Sequence, residues 1–312
     1  MNQTIESPAD ATSANATLDR EQAREIALPS EFDAATYRAN SPDLVDADDC
    51  ALERHFNDHG RSEGRQASRI GSRANLLGLI PANANVLEIG PFCDPLLTGP
   101  NIAYFDVLPR SLLVERAIQI GLDDRTIPQI DFVSPVGDLA IIDQKFDVVI
   151  SSHNIEHQPD LVRHLQQIRR ILRTHGCYFL IIPDKRFCFD HDIRESTTIE
   201  VLAAFLEKRK LHSARSVLEH RLLLRHNDPV RHWAGDSDSG EADWMEKLRA
   251  TIEEWHANAD HYIDVHAWQF TPASFATIIN DLQRAGLCEL ELKRVYSTAR
   301  NSLEFMAVLQ RQ

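Results

Sequence analysis

The chain has 312 residues, 43% of them hydrophobic, enough for one large domain with a small appendage. Lys and Arg total 33 against 47 Asp and Glu, a formal charge of −14, which argues against a general binder of nucleic acid or anionic membrane. No apolar run reaches the roughly 18 residues of a membrane span, the N-terminus has no secretory pattern, and five scattered cysteines without a CxxC pair suit a reduced, cytoplasmic protein.

Residues 1–28 are rich in Ser, Thr, Ala, Asn and Asp and predict a disordered tail. Residues 29–70 predict a small helical module. Ala51, Leu52, His55 and Phe56 recur at helical spacing, and Gly60 and Gly64 suit helix ends. Its run FDAATYRANSPDL…ALERHFNDHGRSEGR resembles a module of bacterial polysaccharide-assembly proteins, often found beside glycosyltransferase domains.

From about Ser72 strands and helices alternate. NVLEIG and AYFDVL predict strands, SLLVERAIQIG a helix, and KFDVVISSH a buried strand. LVRHLQQIRRILR is amphipathic, with Leu161, Leu165, Ile168, Ile171 and Leu172 on one face, and GCYFLIIPD is another buried strand. TPASFATIINDLQRAGL predicts a helix capped by Thr271 with Pro272 at its first position. CELELKRVYS and SLEFMAVLQ follow as terminal strands that can pair antiparallel. Apolar strands alternating with amphipathic helices predict a doubly wound α/β domain over residues 71–312, a mostly parallel sheet covered on both faces. Residues of about 190–263 are helical and rich in His and Arg, and read as an insertion that shapes a substrate pocket.

Ligands of such sheets bind beyond the carboxyl ends of the strands. Those ends here carry Glu88-Ile89-Gly90, Asp106-Val107, Ser152-His153 followed by Glu156-His157, and Asp184-Lys185-Arg186. Gly90 runs into Pro91 and Phe92, not into further glycines. A dinucleotide pyrophosphate needs a Gly-rich turn with free backbone donors, and Pro91 lacks one.

VLEIG, FDV, and FDVVISSHNIEHQPDL with LQQIRRILRTHGCYFLIIPD resemble the motifs of class I S-adenosylmethionine-dependent methyltransferases. PDKRFCFDHD resembles a bacterial branch with a PDKRYTFD signature, and HAWQFTP (His266–Pro272) its HxWxFTP segment. The resemblance implies a Rossmann-like sheet of seven strands and S-adenosylmethionine as cofactor. It places Glu88, Gly90, Pro91, Asp106, Val107, Asp138, Leu139, Ser152 and His153 at the cofactor, with Asp106 accepting from the ribose hydroxyls and Asp138 from the adenine amino group.

A hydroxyl acceptor needs a base for its proton. His153, His157, Asp184 and His232 are the catalytic candidates, with His153 nearest the transferred methyl group. Lys185, Arg186, His226 and Trp233 are candidates for holding the acceptor. His153, Glu156 and His157 at i, i+3 and i+4 can face one metal, and some ubiquinone-pathway O-methyltransferases use a similar acid-x-x-Glu-His set for magnesium. With His153 in place of the first acid, no metal is expected. The expected activity is O-methylation of a saccharide or surface-polysaccharide intermediate, with glycosyltransferases of the same pathway as partners. A small-molecule or N-methyltransferase, or a non-catalytic cofactor-binding or scaffolding protein, remains open.

Overall fold

The computed structural model describes residues 22–238, 244–258 and 260–312. Seven apolar runs form one sheet: β1 (Val86–Ile89), β2 (Ile102–Asp106), β3 (Phe132–Val133), β4 (Phe146–Ser152), β5 (Leu172–Pro183), β6 (Leu290–Tyr296) and β7 (Glu304–Arg311). Their order is β3-β2-β1-β4-β5-β7-β6. All pairs are parallel except those of β7, which is antiparallel to β5 and to β6. The sheet is the Rossmann-like one expected, and its terminal strands are antiparallel. Strand order reverses between β1 and β4. Neighbouring chains leave in opposite directions there and open a crevice at the carboxyl ends. In the register of that pair Ile89 faces Ser151, so Gly90 and Ser152 meet at the rim.

Parallel strands bury both faces. Helices α4 (Arg110–Gln119), α5 (Leu161–Ile171), α6 (Thr198–Leu206) and α10 (Pro272–Arg284) supply much of the cover, after the short α1 (Ala34–Ala39), α2 (Asp49–His55) and α3 (Arg73–Leu77). The apolar stripe of α5 is buried as its periodicity predicts, and Leu172 already begins β5. Thr271 caps α10, accepting from Ser274 N at 3.2 Å. The stretch of about 190–263, read from sequence as an insertion, carries α6, which packs on the main core, and α7 (Ala214–Leu223), α8 (Pro229–Trp233) and α9 (Trp244–Ala257).

Two features differ from expectation. Of the predicted tail, residues 1–21 lie outside the described residues, while Ala23 N donates to Thr174 O at 2.8 Å and Ile26 packs under the sheet. Gly60 does not end a helix. The chain from α2 continues helically through Gly60 to Glu63, and a glycine stands there because the Tyr37 side chain fills the space a Cβ would take. Gly64 does end it, at φ +67.

Candidate active site

No helix follows β1. Residues 90–101 cross to β2 as an irregular loop, and two groups hold it. The buried Glu88 carboxylate accepts from Leu96 N at 2.8 Å and Leu97 N at 3.2 Å, and the Tyr104 hydroxyl donates to Leu97 O at 2.6 Å. Burial raises the Glu88 carboxyl to about 7 against those N–H groups. Its place is in the loop's framework. Gly90 adopts φ +71 at the rim, where an added Cβ would stand 3.2 Å from Asn154 Nδ2. Pro91 is buried behind it.

Asp106 ends β2, 7% exposed. Its Oδ1 accepts from Leu108 N at 3.1 Å, and burial raises its carboxyl above the usual range. Val107 beside it is exposed. Asp138 is taken up locally: it accepts from Ala140 N at 2.9 Å, Gln167 Nε2 at 2.5 Å and Arg163 at 2.9 Å. Leu139 is buried, and its N–H donates to Gln167 Oε1 at 3.3 Å.

Ser152 and His153 leave β4 at the rim. His153 has φ +47, a left-handed conformation that costs a residue with a Cβ roughly 1–3 kcal/mol and gathers at functional sites. Its Nε2 lies 3.1 Å from Glu304 Oε2, at the start of β7. Glu304 also accepts two hydrogen bonds from Arg73, at 2.8 and 2.7 Å. Burial works to raise its pKa, but Arg73 and then His153 overcome that and bring it down to about 2. An ionised carboxylate can only accept, so Nε2 carries the proton and Nδ1 keeps its lone pair. Arg73 and Glu304 line a cavity of about 290 Å³ together with Ser72, Ser297 and Ser302.

His157 Nδ1 lies 3.1 Å from Asp264 Oδ1, and this imidazole holds the Asp264 carboxyl well below the usual range. Asp184 is fully buried and accepts from Arg186 at 2.9 and 2.6 Å and from Thr298 at 2.6 Å, so its oxygens are committed within the fold. Lys185 donates to His191 O at 2.7 Å. His232 is stacked between His191 and His226, with Nε2 2.9 Å from His226 O. Trp233 stacks on Phe187 at 3.8 Å and donates to Ser302 O at 2.9 Å. The crevice thus gathers Gly90, Asp106, Ser152 and His153. Asp184, Lys185, Arg186, His226, His232 and Trp233 instead tie the insertion to the ends of β5 and β7. Arg73 and Glu304 escaped the sequence reading; the only local sign was an acid opening the strand SLEFMAVLQ.

Residues 102–180, from β2 into β5, match the family model described as a methyltransferase domain. None of the curated proteins matches the chain. Among solved structures it is similar to an S-adenosylmethionine-dependent methyltransferase from Mesorhizobium loti, at 13% identity over 77% of this chain and 99% of that one, TM-score 0.38. The CcbJ methyltransferase from Streptomyces caelestis is similar at 12% identity over 77% and 94%, TM-score 0.40. One from Methanosarcina mazei reaches 14% over 76% and 96%, TM-score 0.37. All these scores are low, and the family match with the strand order carries the assignment. The domain is a methyltransferase domain on a Rossmann-like sheet. The chain thus carries a methyltransferase domain, for which S-adenosylmethionine is the expected methyl donor.

The residues present fit that cofactor at the ribose end. Gly90 clears a close approach of the backbone, and among the described residues Asp106 meets backbone N–H groups of Leu108, Val107 and Phe92 but no side-chain donor. Glu88 and Asp138, engaged in the fold, leave the two outer ends of the crevice to backbone groups and to Val107.

Proposed function

We propose that this enzyme methylates a hydroxyl of a saccharide or surface-polysaccharide intermediate in the cytoplasm, alongside glycosyltransferases of the same pathway. The observation that carries the reading is the chain Arg73–Glu304–His153. Bound S-adenosylmethionine supplies an electrophilic methyl group. Asp106 holds the ribose, and Gly90 lets the turn close on the cofactor.

The chain's own work is alignment and proton removal. Glu304 fixes His153 in the Nε2–H tautomer and orients its ring. Nδ1, with Glu156 Oε1 3.9 Å away on its buried side, takes the proton of the acceptor hydroxyl at the exposed edge of the ring, and Glu304 stabilises the imidazolium that results. Arg73 holds Glu304 in place and keeps it ionised. The adjoining cavity lies near the lower end of the roughly 300–1,000 Å³ range of small-ligand sites. Its hydroxyls, guanidinium and carboxylate suit a polyhydroxylated ligand. It opens between the β6–β7 loop and the linker at Ile70–Arg73, which ties residues 29–70 to the enzyme domain of 71–312 and its insertion at about 190–263.

Purified full-length protein with tritiated cofactor and a panel of nucleotide sugars and oligosaccharides tests the reading. Label should pass to an oxygen of a sugar, and His153→Asn should lower kcat by about 10²–10⁴-fold with cofactor binding kept. Label on a nitrogen, or full activity of His153→Asn, overturns the proton-transfer role. Absence of cofactor binding points to a scaffolding protein.

A further inference from the structure

Glu156 is fully buried in the turn after β4, and among the described residues neither carboxylate oxygen has a hydrogen-bond partner. A carboxylate left so in a protein interior is costly unless something cationic compensates it. Three imidazole nitrogens surround its Oε1, each at 3.9 Å: His153 Nδ1, His157 Nε2 and His266 Nε2. That distance is too long for a hydrogen bond. It is close to the spacing of groups that share a central ion, since ligands at about 2.1 Å from one metal stand roughly 3–3.5 Å apart. One ligand atom each from Glu156, His157 and His266 lies within 4.8 Å of the other two.

The outer partners point the same way. His157 Nδ1 faces Asp264 at 3.1 Å, and His266 Nδ1 faces Asp190 at 2.6 Å. A carboxylate on the far nitrogen fixes the tautomer with the proton there and turns the lone pair of Nε2 inward, as in histidines that bind metals. The hydrogen bond to Asp190 thereby aims the His266 lone pair at Glu156, and at His157 the Asp264 carboxylate beside Nδ1 favours the same tautomer as a close charge contact. The backbone clamps the two elements together: Ala267 N and Trp268 N donate to Glu156 O at 2.7 and 3.1 Å.

We propose that Glu156, His157 and His266 bind one divalent transition-metal ion, with Asp264 and Asp190 as positioning residues. Two imidazoles and a carboxylate suit Zn²⁺, Fe²⁺ or Mn²⁺ better than Mg²⁺ or Ca²⁺, which take oxygen ligands; Zn²⁺ is the probe of choice. This corrects the set read from sequence, in which His153 stood third. His153 Nδ1 also stands 3.9 Å from Glu156 Oε1, but it falls outside the set whose ligand atoms all lie within 4.8 Å of one another, and His266, 110 residues beyond Glu156, belongs to that set. Three protein ligands leave a coordination position for water or an acceptor oxygen. His157, the partly exposed member of the set, marks the side from which that position is reached.

The test does not depend on methyl transfer. Full-length protein is stripped with a chelator, dialysed against Zn²⁺ or Co²⁺, and its metal content measured. One equivalent should bind, and Co²⁺ should give visible bands of a nitrogen–oxygen site without thiolate charge transfer. His266→Ala and Glu156→Gln should each weaken binding more than about 100-fold, and Asp190→Asn by about 10–100-fold. Because Glu156→Gln removes a buried charge at constant shape, its metal-free form should melt no lower than the metal-free wild type, while the rise in Tm on adding Zn²⁺ disappears. Less than a tenth of an equivalent in wild type, or equal uptake by His266→Ala and wild type, overturns the proposal.

Discussion

Gly90 and Glu88 decide whether the turn after β1 works. At φ +71 Gly90 is in the left-handed region, where a Cβ costs about 1–2 kcal/mol, and that Cβ would also press on Asn154. Gly90→Ala should therefore lower Tm by a few degrees and weaken cofactor binding measured by calorimetry. Asp106→Asn should weaken cofactor binding about 10–100-fold, the loss of roughly 1.5–3 kcal/mol for hydrogen bonds to a charged acceptor, with Tm almost unchanged. Glu88 gives a pH signature. Its carboxyl is raised from 4.5 to about 7 in the folded chain, so folding takes up a proton between those values. Stability from this group is full below about pH 4.5 and is lost as pH rises through about 7, by at most about 3 kcal/mol. Denaturant unfolding at pH 5 and pH 8 should show a smaller difference in Glu88→Gln than in wild type. An equal difference would mean that Glu88 titrates normally.

At the scale of elements, β4, β5 and α5 are joined under the crevice by a buried polar chain. Ser151 Oγ lies 2.8 Å from the Tyr178 hydroxyl, which lies 3.1 Å from His164 Nε2. Burial holds His164 neutral, its pKa down at about 3. Tyr178→Phe removes the central hydroxyl and strands both neighbours, which should cost about 1–3 kcal/mol by denaturant unfolding. Individual elements were legible because each shows its own periodicity: α5 through Leu161, Leu165 and Ile168, β4 through its run of apolar residues. Pro91, Pro95 and Gly99 explain why no helix follows β1, yet nothing local shows that Glu88 replaces it as the anchor. Gly90 and Asp106 could be placed at strand ends because each closes a strand that its own residues mark. The partners Arg73–Glu304 and Asp190–His266 could not, since 231 and 76 residues separate them and only the finished sheet brings them together.

Across the whole molecule the small N-terminal helices, the insertion and the β6–β7 loop converge on one glycine. Gly64 ends the helical run that begins at α2, and its carbonyl accepts from Arg300 N at 2.9 Å. A Cβ there would stand 2.5 Å from Trp233 and 2.8 Å from Arg300 N. Trp233 in turn lies flat on Phe187, just beyond β5, and binds Ser302. Arg61 reaches Ser297 at 3.2 Å across the same seam. The small helical module is thus fastened to the loop that lines the cavity, and the cavity's shape depends on that fastening. Gly64→Ala brings backbone strain of about 1–2 kcal/mol and an overpacking cost of about 1–3 kcal/mol. Neither atom facing the new methyl can yield easily: one belongs to a stacked indole, the other to backbone. The variant should melt several degrees lower, and a protease should cut residues 65–72 faster than in wild type. Acceptor affinity should fall more than cofactor affinity, since the seam holds Ser297 and Ser302 of the cavity lining directly and reaches the β4 end only through Glu304. Equal loss of both would mean that the module steadies the entire sheet and not the cavity alone.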